Sequence, residues 1–316
     1  MVPRGVASSG VGRAEAGGHP LASLRAVVLL AGTVRPTQFM RAIGRSVLGL
    51  PLDDRKSVLE NWRDHVDDLA NQVVGRPVTV RVMVGKTSPR PPHVDSGALT
   101  RFEYETDPGE FRGTGGLLSD IAQHYADHEY LFIANGGQLL LEPLSRLVEH
   151  LAFVGGDACI VAHEDGTPSG LMMIRCGCLR SIPRIGFVDL KEQALPQIAK
   201  RHVVKVARRA RPTGMSMRTL DGYVASLREH HRRAMGEEGG HDPFGEDWKP
   251  TFSLVEPGAR VDDTATVHDS VVLSGATVLA GAVLVRSVVC PGGVVMRKQM
   301  VVDQSVGPAE ASRSAA

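Results

Sequence analysis

The sequence predicts an α/β chain in two parts: a mostly parallel sheet covered by helices on both faces, then a short left-handed parallel β-helix. Two observations predict it. Between Arg25 and about Glu237, short apolar runs alternate with longer stretches of helical period. Strands separated by single helices imply right-handed crossovers and a parallel sheet. From Val255 onward an apolar residue recurs every sixth position, through Val261, Val267, Leu273, Leu279 and Val285. A six-residue period fits neither helix nor strand alternation and marks coils with one flat face per hexapeptide.

The elements follow in order. "RAVVLLAG" is a strand and "SVLENWRDHVDDLANQV" a helix with Val58, Leu59, Trp62, Val66 and Leu69 on one face. "VTVRVMVG" and the alternating "RFEYET" are strands, and "GGLLSDIAQHYAD" is a helix. "YLFIAN" is a buried strand broken by Asn135, Gly136 and Gly137, and Pro143 suits the first turn of the helix "PLSRLVEHLAF". "DACIVAHE" and "SGLMMIR" are strands, then "LKEQALPQIAKR" a helix, "HVVKVARR" a strand and "RTLDGYVASLREHHRRAM" a helix. In the tail a second small or branched residue follows four places after each apolar one, and Val295 and Val301 continue the inner row. Val261, Val267, Leu273 and Leu279 are therefore expected to point inward. The boundaries read as a disordered leader over 1–24, the α/β domain over 25–237, a Gly-, Pro- and charge-rich linker over 238–253, the β-helix over 254–306 and a disordered tail over 307–316.

Bulk properties narrow the classes. A chain of 316 residues with 42% hydrophobic content has room for one large domain and a smaller one. A net charge of +1 gives no reason to expect nucleic acid or an anionic membrane as partner. The longest apolar run near the start, Ala26 to Ala31, is far short of the roughly 18 residues of a membrane span. The four cysteines form no CxxC pair, and Cys176 and Cys178, one residue apart, are expected on opposite faces of a strand. Free thiols suit a reducing, cytoplasmic setting.

Several stretches, in order, resemble the sugar-nucleotide pyrophosphorylases, the sugar-phosphate nucleotidylyltransferases. "LRAVVLLAGTVRP" looks like the family's first strand and phosphate loop, roughly AVILAGGxGTRLxP, in a shorter form. "AIGRSVLGLP" is similar to its PKPxLPV segment, "EFRGTGGLLSDIAQ" to its GTAGAL loop and "LFIANGGQLL" to its strand ending in NGD. "GFVDLKEQALPQI" resembles a DLKE…LP segment, and "MRTLDGYVASLREHH" looks like IGTPEDYLxAN. The likeness spans 25–235, with the β-helix after it. It implies a Rossmann-like nucleotidyltransferase domain that makes an NDP-sugar and pyrophosphate from an NTP and a sugar 1-phosphate. Gly32, Thr33 and Arg35 would meet the triphosphate, and Arg45 would supply the cation of the family's lysine. Gly113, Thr114 and Gly115 would receive the base, with Asn135 and Gly136 closing the nucleotide site. Arg35 and Arg45 would be the catalytic cations.

The departures concern the metal and the sugar. In the family, the NGD aspartate and an aspartate before IGTP hold Mg2+; here Gly137 and Ser216 stand at those positions. A neutral hydroxyl is a poor ligand for a hard dication. No metal ligand is therefore expected, and the family's Mg2+ lacks its usual partners. The hairpin with an EKP lysine is replaced by a short link between "DACIVAHE" and "SGLMMIR". Asp165, Asp189 and Lys191 are the charged residues that remain to face the sugar side. Three functions compete: a nucleotidylyltransferase with rearranged ligands, a catalytically silent protein that binds nucleotide or nucleotide sugar as a regulatory or scaffold partner, and a hexapeptide acyltransferase with His268 as base. The β-helix would carry any homo- or hetero-oligomer. Other motifs fail on inspection: "VGKT" (Val84 to Thr87) resembles the end of a P-loop, but Val80 stands where that loop needs glycine. His124 and His128 would share a helix face, with Tyr125 where a zinc protease needs glutamate. "KVARRARP" reads as a strand with a solvated basic edge.

Overall fold

The computed structural model describes residues 21–32, 36–107, 112–183, 186–236 and 252–308. Thr33 and Arg35, residues 1–20 of the expected leader, residues 238–251 of the expected linker and 309–316 of the expected tail lie outside them.

Seven strands form the central sheet: β1 (Leu24–Ala31), β2 (Val78–Val84), β3 (Thr100–Thr106), β4 (Tyr130–Asn135), β6 (Ala158–His163), β7 (Pro168–Arg175) and β8 (Val204–Arg209), in the order β3-β2-β1-β4-β7-β6-β8. A two-stranded antiparallel pair, β5 (Gln138–Leu140) and β9 (Gly214–Ser216), sits beside it. All neighbours in the large sheet are parallel except at β7, which is antiparallel to both β4 and β6. The mostly parallel sheet is present, but a uniform run of single-helix crossovers is not. β6 and β7 are joined by the four residues 164–167, too few for a crossover, so the chain must reverse.

The helices are α1 (Gln38–Ala42), α2 (Val58–Leu69), α3 (Gly113–Ala122), α4 (Leu144–Val154), α5 (Cys176–Arg180), α6 (Leu195–Ile198) and α7 (Leu220–Ala234). Their starts are local chemistry. Ser57 caps α2 in a reciprocal capping box with Glu60, and the Thr219 hydroxyl accepts from Gly222 N at the start of α7. Cys176 and Cys178 fall in α5, not on a strand, and both are fully buried. α3 ends at Ala122, so His124 and His128 lie beyond it, on the exposed surface, and share no helix face.

β1 is buried on both sides: Val27 and Leu29 face a core shared with α2, α4 and α7, while Ala26 and Val28 face α3, α5 and α6. Leu24 begins the strand inside the stretch expected as leader, and Ser23 is also buried. Among the described residues no helix is long and apolar enough to cross a membrane.

The tail forms three stacks of short parallel strands. Leu254 pairs with Val271 and Val271 with Val288; Thr277 pairs with Val294 and Leu284 with Val301. Each coil therefore takes 17 residues, one fewer than three hexapeptides. The inner row runs Val261, Val267, Val272, Val278, Leu284, Val289, Val295, Val301. The missing residue is lost at a tight corner where Asp269, Arg286 and Asp303 adopt φ of 44°, 47° and 53°. That corner shifts the phase. Val261 and Val267 face inward as expected, whereas Leu273 turns out to pack against the core of the sheet domain and Leu279 is outside the inner cluster. Leu273 is joined there by Phe252, Leu254, Val271, Val288 and Cys290. Tail and sheet share one core.

A half-buried imidazole makes the fold sensitive to pH. Burial pushes His65 on α2 below its ordinary value, against the opposing pull of Asp68 and Asp64. Burial and the neighbouring His230 do the same to His231. A depressed histidine binds fewer protons in the folded state, so its stability contribution is complete above the unfolded pKa of about 6.5 and is lost as pH falls from there through the lower folded value. Asp53, Asp64 and Glu129 are held below the usual carboxylate range, although burial alone would raise them, because hydrogen bonds to His230, Lys56 and the Ala126 amide outweigh it. Their losses fall below about pH 4.5. Urea unfolding at a series of pH values should show stability declining from about pH 7 to pH 5, and His65→Gln should flatten that limb. An unchanged slope in His65→Gln would remove His65 from the account.

Candidate functional site

β1 and β4 lie side by side, with β2 and β3 extending the sheet one way and β7, β6 and β8 the other. Such a reversal of strand order opens a crevice at the carboxyl ends of the two strands. A cleft of about 450 Å³ occupies that place, within the usual range for a small-molecule site. The end of β1, the loop after β2, the turn after α1 and the end of β4 form its walls.

Each wall has a local reason. The loops after β1 and β2 touch through two glycines: a Cβ on Gly85 would lie 2.4 Å from the Gly32 carbonyl oxygen, and Gly32 itself has a φ of 106°. The Ser88 hydroxyl donates to the same carbonyl at 3.0 Å. On the opposite wall, Gly136 N donates to Leu30 O, and the buried Trp62 Nε1 donates to Gly136 O at 2.9 Å. Gly137 N donates to the Asn135 side chain at 3.2 Å, which aims Asn135 at the cleft. The Thr37 hydroxyl accepts from Met40 N, starting α1, and donates to Arg218 O, tying that turn to the start of α7.

Of the residues expected from sequence, Gly32, Arg45 and Asn135 line the cleft. Gly136 is turned away against Leu30 and Trp62. Gly113, Thr114 and Gly115 are absent from the lining. Gly115 N donates to Val188 O at 2.9 Å, Leu190 N donates to the Thr114 hydroxyl at 3.2 Å, and a Cβ on Gly113 would meet Val188 O at 2.5 Å. These small residues let α3 seat against the 188–190 segment. Asp165, Asp189 and Lys191 do not line the cleft; Asp189 instead caps the turn that begins at Leu190.

Arg45 has a second contact besides the cleft. Its Nη2 meets Glu256 Oε2 at 2.7 Å, and that same oxygen accepts from Ser274 N. Arg45 therefore pins the tail to the sheet domain, and its charge is already met. Sequence reasoning missed the other cations at the cleft: Arg41, Lys86 and Arg218. Lys86 is exposed, and no ion pair is found for it among the described residues. The signal for it was available. "VGKT" fails as a P-loop, yet it follows the end of β2, at the same sheet edge as the end of β1.

The two positions at which the resemblance implied metal carboxylates do come together. Gln138 pairs with Ser216, and Met217 N donates to Gly137 O at 3.0 Å. Neither carries an acid. A Cβ at Gly137 would lie 3.6 Å from Arg218 Cγ, so an arginine stem covers the spot. Asp107 is the single carboxylate among the described lining residues. This donor set does not fit a carboxylate-held Mg2+, which prefers hard oxygen ligands in an octahedral array.

His268 lies in the tail with Nδ1 3.9 Å from Asp269 Oδ2, the carboxylate that pairs with Arg228. That places it beside the junction of tail and sheet domain, away from the cleft.

The fold and cleft define a mixed α/β protein with a cationic pocket at the switch point of a parallel-rich sheet. No family model matches the chain, and no curated protein matches it. Among solved structures, HddC from Yersinia pseudotuberculosis aligns with a TM-score of 0.46 and 14% identity, covering 65% of this chain and 99% of that one. At that distance the cleft's own chemistry must carry the functional reading.

Proposed function

We propose that this chain is a nucleotidyltransferase-like protein whose cleft holds the phosphates of a nucleotide or nucleotide sugar, and that binding, not Mg2+-dependent transfer to a sugar 1-phosphate, is its role. One observation carries this reading: Arg41, Lys86 and Arg218 converge on a switch-point cleft whose described lining has one carboxylate, Asp107. Charge-assisted hydrogen bonds from such cations to phosphate oxygens are the strong kind. The ordered likeness of 25–235 to the sugar-nucleotide pyrophosphorylases supports the choice of a nucleotide over other anions. Attack of a sugar phosphate on an α-phosphate brings two anions together, and a divalent ion ordinarily neutralises much of that charge. With Gly137 and Ser216 at the places of the metal acids, that step has no such help from these residues.

Calorimetric titration with ATP, GTP, UTP and dTTP, each with and without EDTA, tests the reading. Heat with at least one nucleotide, unchanged by EDTA, is expected. No heat with any of them would overturn it, and steady pyrophosphate release abolished by EDTA would establish metal-dependent turnover instead.

A further inference from the structure

At the end of the sheet opposite the cleft, three segments converge. β6 and β8 are parallel and begin at Ala158 and Val204, while the antiparallel β7 ends at Arg175 and runs straight into α5. This brings Asp157, Cys178 and His202 together from three separate parts of the chain. Their donor atoms, a carboxylate oxygen, the thiol sulfur and an imidazole nitrogen, all lie within 4.8 Å of one another.

We propose that Asp157, Cys178 and His202 form a binding site for a transition-metal dication of the zinc class. Sulfur and imidazole nitrogen select against Mg2+ and Ca2+, which take oxygen, and suit Zn2+ or Co2+. Three protein donors leave one position of a tetrahedral ion for water. The surroundings give the ion a route in. His202 and Asp157 are about one-fifth exposed, whereas Cys178 closes the inner wall.

The present contacts of the three residues are compatible with the ion. Asp157 Oδ2 accepts from Val203 N at 2.9 Å and lies 3.7 Å from His202 Nδ1, and Cys178 Sγ lies 4.0 Å from Asp157 O. Arg175 Nη1 is 3.1 Å from Asp157 Oδ1 and is the cation an entering metal must displace. Its side chain is more than one-third exposed, so the guanidinium can turn into solvent. Burial pushes the Cys178 thiol up to about 11, so the metal must drive off its proton, and binding releases acid. The ion would then tie the edge strand β8 to α5 and to the start of β6.

Cobalt is the probe. Chelator-treated full-length protein titrated with Co2+ should develop a near-ultraviolet thiolate-to-cobalt charge-transfer band, bleached by added Zn2+. Cys178→Ser should abolish the band. His202→Ala, at a partly exposed position, should weaken Co2+ binding by about tenfold or more without unfolding the chain. Added Zn2+ should raise the melting temperature of the wild type by more than that of His202→Ala at the same concentration. Absence of the band in the wild type would overturn the proposal, as would a band undiminished in both variants, which would place the cobalt on another thiol.

Discussion

Arg228→Met should destabilise the protein by about 3–5 kcal/mol, the cost of leaving one charge of a buried pair uncompensated. Arg228 on α7 and Asp269 at the tight corner of the tail are both almost wholly buried, with Nε and Oδ2 2.8 Å apart. Asp269 does more than pair. Its Oδ1 accepts from Phe252 N at 3.2 Å, and its own amide donates to Phe252 O, so the carboxylate also fixes the strand that enters the tail. Below the pair, Arg286 meets Asp303 through two hydrogen bonds of 2.6 and 2.8 Å, one coil further along. That second pair is more exposed and contributes about 1 kcal/mol or less. Thermal melts should show Arg228→Met lowered by roughly 6 °C or more. The double variant Arg228→Met/Asp269→Asn should recover part of the loss, because no buried charge is left unpaired. A single variant that melts within about a degree of wild type would mean that the charge of Asp269 is compensated elsewhere.

Lys86→Ala should weaken nucleotide binding by about ten- to a hundredfold with no change in melting temperature. This rests on the proposed reading of the cleft. A charged group donating to a phosphate contributes roughly 1.5–3 kcal/mol, and each 1.4 kcal/mol is about tenfold in affinity. Lys86 is exposed, and no ion pair is found for it among the described residues, so its loss costs the fold little. Arg45→Ala is the contrasting variant. Removing it leaves Glu256, mostly buried, without its guanidinium, and the loss should register in the melting temperature more than in affinity. Side-by-side titration and melting of the two variants separates the roles. Equal affinity of Lys86→Ala and wild type would exclude Lys86 from the site.

These two variants mark where sequence reasoning reached and where it stopped. The alternation of strands and helices was legible because periodicity is a local property: Val58, Leu59, Trp62, Val66 and Leu69 fall on one helix face wherever that helix packs, and all five are buried. The glycines after β1 and β4 were legible for the same reason, since a turn's backbone demands depend on its own few residues. The antiparallel β7 was not, because a strand's direction depends on its pairing partners, and only the short link at 164–167 hinted at the reversal.

In the tail, the six-residue period alone determined that a coil would form. Its true repeat of 17 goes with the left-handed corners at Asp269, Arg286 and Asp303, and the first of these carries a side chain paired with Arg228, 41 residues earlier in the chain. A single skipped residue then moved Leu273 from the inside of the coil to the shared core. Charge shows the same division. Sequence by itself determined that Gly137 and Ser216 bring no acid to the end of β4. Only the tertiary structure decided that Arg45 is spent on Glu256 and that Lys86 and Arg218 reach the cleft. The physical reason is range: backbone conformation and apolar period are set over a few residues, whereas the partner of a charge is chosen by whatever the fold brings within about 4 Å of it.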